Sequence, residues 1–84
     1  MEYRLPDGTR ADCLTREYAV EVEYAPKWAE SIGQALYYAQ STGLKPGVLM
    51  IMRNENDERF LKRLRAVARE KGIKVWTVRS KDID

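Results

Sequence analysis

The chain has 84 residues, of which 44% are hydrophobic and 33% charged, with a formal net charge of +2. These values predict one small globular domain, residues 1–84, rather than a disordered chain. Histidine is absent and there is one cysteine, which excludes Ser-His-Asp and Cys-His catalysis and zinc sites built from His or from Cys alone. No apolar run approaches the roughly 20 residues that cross a bilayer. With no secretion-type leader and a lone Cys13, we expect a cytoplasmic protein that does not enter membranes.

The first part of the chain predicts three antiparallel strands. A turn at Leu5-Pro6-Asp7-Gly8 joins Glu2–Leu5 to Arg10–Leu14, because proline and glycine suit successive turn positions. A second tight turn at Arg16-Glu17 leads into Tyr18–Tyr24, in which apolar and aromatic residues alternate with Ala or Glu. These segments predict a three-stranded meander.

A helix that begins at Pro26 and ends at Gly43 is predicted next. Its apolar stripe comprises Trp28, Ile32, Ala35, Leu36 and Ala39. The uninterrupted apolar run Val48–Met52 then predicts a central strand that is buried on both faces.

A second helix and a last strand complete the predicted domain. Either Asn54 or Asn56 caps this helix and Gly72 ends it. Its core face comprises Phe60, Leu61, Leu64, Val67 and Ala68. The strand Ile73–Val78 follows. Since helices between strands imply parallel crossovers, the order β-β-β-α-β-α-β predicts an α/β sandwich around a mixed sheet.

Three carboxylates are predicted to converge on one face of the meander. A two-residue turn at Arg16-Glu17 places Asp12 opposite Glu21, with about 5 Å between their Cβ atoms. Glu23 shares the face of Glu21, at a spacing of roughly 7 Å. Charges ~6 Å apart repel by roughly 3 kcal/mol at an effective dielectric constant of about 20, and a divalent cation removes this repulsion. Oxygen ligands favour Mg²⁺, Mn²⁺ or Ca²⁺.

An ordinary solvent-facing strand explains the same acids equally well, with Lys27 or Arg10 as ion-pair partners. The first helix also allows both a functional and a purely structural interpretation. Gln34 and Tyr38 lie one turn apart on a stripe that also carries Lys27 and Ser31. An amide and a phenol suit a phosphate, a base edge or a metal-bound water, but they also suit a plain polar surface.

Basic residues concentrate in the last part of the chain. Residues 53–84 carry ten of them against six acids: Arg53, Arg59, Lys62, Arg63, Arg65, Arg69, Lys71, Lys74, Arg79 and Lys81. A basic region beside an acidic site suits a polyanion that binds together with a cation. An ordinary solvated helix face accounts for the same pattern.

The order of these pieces resembles the PD-(D/E)XK nuclease superfamily, particularly its compact phage-type, RecB-like and Holliday-junction-resolvase-like members. The resemblance covers Glu2 to Met52 and is carried by the segments Arg4–Thr15 and Lys27–Ala39, in which an acid, an acid-x-acid pair and a Gln-x-x-x-Tyr helix follow one another. It implies a three-layer restriction-endonuclease-like core that lacks the usual N-terminal helix. One side of the sheet would then be covered by a second copy, which predicts a homo-oligomer.

The resemblance also implies roles for particular residues. Asp12 and Glu21 would bind Mg²⁺ or Mn²⁺ together with the carbonyl of Val22. Gln34 and Tyr38 would position the substrate and its scissile phosphate.

Two acids fit the family pattern less closely. Glu23 stands where the family has a catalytic lysine. Either Glu23 would act as a further metal ligand or as the general base, or Lys27 would supply the ammonium group from a different position; we favour Lys27. Glu2 is a loose match to an additional upstream acid.

The resemblance implies a metal-dependent endonuclease or resolvase that hydrolyses DNA in a bacterial or phage-infected cell. The alternative is a nuclease-fold module that binds DNA or supports assembly without cleaving. A third hypothesis is a small α/β interaction domain whose acids are surface charges.

Overall fold

A computed structural model describes residues 3–4, 10–11 and 13–82. Its elements are β1 (Tyr3–Arg4), β2 (Arg10–Ala11), β3 (Cys13–Leu14), β4 (Tyr18–Tyr24), α1 (Trp28–Thr42), β5 (Lys45–Met52), α2 (Glu58–Lys71) and β6 (Lys74–Arg79). Short 3₁₀ turns occupy Ala25–Lys27, Glu55–Asp57 and Ser80–Asp82. The predicted order of strands and helices is confirmed for the described residues, with Arg10–Ala11 and Cys13–Leu14 both extended within the predicted strand Arg10–Leu14.

The main sheet has four strands in the order β3-β4-β5-β6. β3 is antiparallel to β4, whereas β4, β5 and β6 are mutually parallel, so the sheet is mixed as predicted. β1 and β2 form a separate antiparallel pair. Among the described residues no helix is long and apolar enough to cross a membrane.

Both helices pack on the same face of this sheet. Val48 and Met50, two residues apart on β5, belong to one core cluster with Ala35 of α1 and Leu64 of α2, and the two helices contact each other. Since β4, β5 and β6 lie side by side in chain order, two crossovers of the same hand put both helices on one side. The described residues therefore form two layers, and the predicted three layers are wrong for this part of the chain.

The first helix follows its predicted pattern closely. Pro26 lies in the 3₁₀ turn that leads into α1. Gly43 ends the helix with φ +74°, and its N–H donates to the carbonyl of Ala39 at 2.9 Å. This left-handed conformation favours glycine over residues that carry a Cβ. The buried positions match the apolar stripe and add Ser31, whose hydroxyl donates to the carbonyl of Trp28.

Neither predicted candidate caps α2 directly, because a 3₁₀ turn precedes this helix. Asn54 caps that turn: its side chain accepts the N–H of Asn56 at 2.9 Å. The N-cap position of α2 itself is Asp57, which forms no side-chain capping bond there. Asp57 is 2% exposed and accepts the N–H of Arg53 at 2.9 Å. These bonds fix the connection between β5 and α2. The predicted core face of α2 is buried or half-buried, and Gly72 ends the helix.

The opposite face of the sheet is apolar as well. Val22, Leu49 and Trp76 are neighbours in the parallel register, point away from the helices and are half-buried. The ring of Trp76 lies over the backbone of Gly47 and contacts Tyr18 edge to face at 5.2 Å between centroids. Among the described residues, neither helix covers this face of the sheet, which is called the open face below.

Candidate functional site

The turn between β3 and β4 has the predicted geometry. The N–H of Thr15 donates to the carbonyl of Tyr18 at 2.8 Å, and the Thr15 hydroxyl accepts the N–H of Tyr18 at 2.8 Å. Arg16 and Glu17 therefore form a two-residue turn, which fixes the register of the hairpin.

The register of β3 against β4 follows from this turn. The paired residues are Cys13 with Val20 and Leu14 with Ala19. This is the register that underlies the predicted pairing of Asp12 with Glu21. Asp12 and Glu2 lie outside the described residues, so their positions remain predictions.

Glu21 is a buried carboxylate. Its side chain is on the helix-covered face of β4, level with Val48 of β5, and the residue is only 2% exposed. Burying a charged carboxylate costs several kcal/mol unless hydrogen bonds or positive charge compensate. Glu21 is consequently not a solvated surface acid, and the hypothesis of an ordinary solvent-facing strand is wrong for this residue.

Glu23 and Lys27 lie beyond Glu21, towards the end of β4 and the start of α1. Glu23 shares the helix-covered face with Glu21, is half-buried, and accepts the N–H of Tyr24 at 3.1 Å. Lys27 is the last residue of the 3₁₀ turn before α1 and is exposed. A half-buried acid and an exposed ammonium group thus lie on neighbouring elements.

Gln34 and Tyr38 form a pair on α1. The hydroxyl of Tyr38 donates to Oε1 of Gln34 at 3.4 Å. Gln34 is exposed and Tyr38 is half-buried. Ile32 and Leu36, on the other flank of the helix, pack against the core shared with α2. The pair therefore occupies the flank of α1 that faces away from α2, on the side of the sheet where β3 lies.

The donor set is compatible with a hard divalent cation. It consists of the Glu21 carboxylate, the Val22 carbonyl in the strand beside it and, by prediction, Asp12. Residues 13–82 contain no group of three or more His, Cys, Asp or Glu side chains suited to hold a metal. Mg²⁺ usually binds proteins through one or two carboxylates and completes its octahedron with water and phosphate oxygens. A pair of carboxylates meets that requirement.

Three further cations were not assigned to a site by the sequence pattern. Arg53 follows β5 directly, Arg79 ends β6, and Lys81 lies in the turn after it. They line one cleft. The sequence feature that could have identified them is their position directly after or at the end of predicted parallel strands. The carboxyl ends of such strands are where α/β proteins commonly bind ligands.

No protein-family model matches this chain, and no curated protein or solved structure matches it either.

Proposed function

We propose that this chain is a metal-dependent DNA endonuclease or resolvase with a restriction-endonuclease-like site. The observation that carries the proposal is the buried carboxylate of Glu21, 2% exposed on the sheet face beneath α1. The polar pair of Gln34 and Tyr38 lies on the outer flank of that same helix. A buried acid beneath a helix that carries an amide and a phenol suits a phosphodiester hydrolase that uses a cation.

Each residue has a distinct role in the proposed site. Asp12, Glu21 and the Val22 carbonyl hold Mg²⁺ or Mn²⁺, which when bound lowers the pKa of water and neutralises phosphate charge. Gln34 and Tyr38 orient the scissile phosphate. The ammonium group of Lys27 stabilises the charge that develops on the phosphate oxygens, and Glu23 is the alternative candidate for general base.

Thermal unfolding with and without Mn²⁺ tests the metal site directly. At free Mn²⁺ about a hundredfold above Kd, we expect the wild-type protein to gain about 2.7 kcal/mol of stability. Glu21→Gln and Asp12→Asn should lose this gain and also lose cleavage. Glu70→Gln removes the same charge from an exposed position on α2 and should keep both.

The comparison uses the shift caused by Mn²⁺, so a change in the basal stability of Glu21→Gln does not affect it. Wild-type cleavage by Asp12→Asn, or an equal Mn²⁺ shift in Glu21→Gln and the wild type, would refute the site. A panel of branched and linear DNAs with Mn²⁺ present then identifies the preferred substrate: junction, flap, end or duplex.

The second candidate function is DNA binding or assembly without cleavage. It is favoured by Glu23, which replaces the expected lysine and has a carboxylate oxygen committed to the N–H of Tyr24. Such a module would bind DNA but would not cleave it with Mg²⁺ or with Mn²⁺. A protein interaction domain would neither bind DNA nor respond to Mn²⁺.

A further inference from the structure

A cleft opens at the carboxyl edge of the sheet, which we define as the edge where β4, β5 and β6 end. Its volume is about 310 Å³. The charged residues and one amide that line the cleft are Arg53, Asn54, Glu55, Glu58, Arg79 and Lys81. They come from the end of β5, the start of α2 and the end of β6, so only the parallel pairing of β5 with β6 brings them together.

The cations of the cleft differ in how they are held. The guanidinium of Arg53 lies 3.8 Å from the carboxylate of Asp57 and 5.6 Å from the ring centroid of Tyr24. Within the described residues, neither Arg79 nor Lys81 forms an ion pair, and both are exposed. Arg53 is thus anchored, whereas Arg79 and Lys81 have donors available for an external anion.

The charge of the cleft indicates what kind of anion it suits. The lining cations Arg53, Arg79 and Lys81 face the carboxylates of Glu55 and Glu58, and Asp57 beside Arg53 brings the local formal charge to zero. The cleft therefore has no large positive excess, and a ligand group with a single negative charge, such as one phosphodiester, suits Arg79 and Lys81. A nucleoside triphosphate would bring several negative charges against two exposed carboxylates, and repulsion would oppose its binding.

The cleft lies at the same edge of the sheet as the end of β4. Arg53 packs over Tyr24, the last residue of β4. The side chain of Tyr24 lies on the sheet face opposite to that of Glu21 and Glu23, because side chains alternate along a strand. A nucleic-acid strand that is cleaved on the helix-covered face would therefore have to continue around this edge to reach the cleft.

We propose that Arg79 and Lys81, with Arg53 as their fixed neighbour, bind a phosphodiester group of the nucleic-acid strand away from the one that is cleaved. This inference rests on the proposed function only in that DNA is the ligand. It assigns the carboxyl edge a binding role that does not involve the metal.

Binding without metal separates this role from catalysis. Affinity of a fluorescent DNA is measured by anisotropy in EDTA over a range of salt concentrations. For Arg79→Ala/Lys81→Ala we expect weaker binding and a slope of log K against log salt that is smaller by about 1. The charge-conserving variant Arg79→Lys/Lys81→Arg should retain most of the wild-type slope.

A matched control removes the same charge from the opposite edge of the sheet. Lys45 begins β5 and Lys74 begins β6, and both are exposed. Lys45→Ala/Lys74→Ala should therefore leave the slope unchanged. Equal losses in the two double variants would overturn the proposal, because net charge alone would then explain binding. A wild-type protein that does not bind DNA in EDTA would overturn it as well.

Failure of the catalytic proposal gives a different result. A protein that never cleaves DNA but loses binding only in Arg79→Ala/Lys81→Ala supports the cleft and refutes the nuclease. A protein that cleaves with Mn²⁺ while its binding is insensitive to both residues supports the nuclease and refutes the cleft.

Discussion

At the scale of single side chains, the proposed turnover depends on either Lys27 or Glu23. The chain has Glu23 where the resembled family has a lysine, and the nearby exposed ammonium group belongs to Lys27. One charge stabiliser at a phosphoryl or acyl centre is commonly worth about 10²–10³ in rate. A catalytic role for Lys27 and one for Glu23 lead to different predictions, because Lys27 is a cation and Glu23 is an acid.

We expect Lys27→Ala to lower the cleavage rate by about 10²-fold while it leaves the Mn²⁺-dependent stabilisation intact. The physical reason is that an ammonium group stabilises charge on the reacting phosphate but does not bind a cation. Single-turnover cleavage and thermal unfolding measure the two effects separately.

Lys71→Ala is the control for Lys27→Ala, since it removes an exposed lysine from the far end of α2. Full activity in Lys27→Ala would rule out this role for Lys27. If Glu23→Gln then lost activity, Glu23 would be the general base.

At the scale of elements, the packing of β6 against β5 depends on one glycine. A Cβ at Gly47 would lie 2.7 Å from Cζ3 of Trp76, which is closer than side chains tolerate. Trp76 is also held by its edge-to-face contact with Tyr18. Movement of the indole ring away from a larger residue at position 47 would disturb this contact with Tyr18.

We expect Gly47→Ala to destabilise the protein by about 1–3 kcal/mol, because the added methyl group forces the indole ring or the strands apart. Gly33→Ala is the matched substitution: this exposed glycine lies within α1 and nothing lies within 4 Å of a Cβ built there. We expect it to stabilise the protein by about 1 kcal/mol through helix propensity. Urea denaturation measures both changes.

The Trp76 contact can be tested independently. In a Trp76→Leu background the cost of Gly47→Ala should shrink, since the clashing ring atoms are gone. An unchanged cost in that background would show that the backbone of β5, rather than the indole ring, resists the methyl group.

At the scale of the whole molecule, the open face of the sheet gives a reason to expect self-association. Its half-buried residues Val22, Leu49 and Trp76 face away from both helices. Exposed apolar patches on small domains commonly mark contact surfaces, and a chain of this length has little core of its own. A second copy is the partner that we predict from the sequence.

We expect light scattering at micromolar concentration to give a mass above that of one chain. Leu49→Lys should reduce it to the monomer mass, because a buried ammonium group at such an interface is costly. Tyr37→Lys places the same charge at an exposed position on α1, on the helix side, and should keep the oligomer. A monomeric wild-type protein would overturn this prediction, and circular dichroism verifies that Leu49→Lys is folded.

The sequence by itself determined the local features of this protein. The turn at Arg16-Glu17 and the helix end at Gly43 each depend on residues a few positions apart, so their short-range chemistry was sufficient to predict them. The alternation in β4 likewise predicted that Glu21 and Glu23 share one face. The pairing of Asp12 with Glu21 stays a prediction, because Asp12 lies outside the described residues.

Only the tertiary structure decided which face of the sheet the helices cover and which charges meet. The burial of Glu21 follows from α1 packing over β4, a contact between distant segments that the spacing of the acids does not encode. The cleft between Arg53 and Arg79 exists because β5 and β6 are parallel neighbours that end at the same edge. Such features depend on the hand and order of the crossovers, which are properties of the folded chain as a whole.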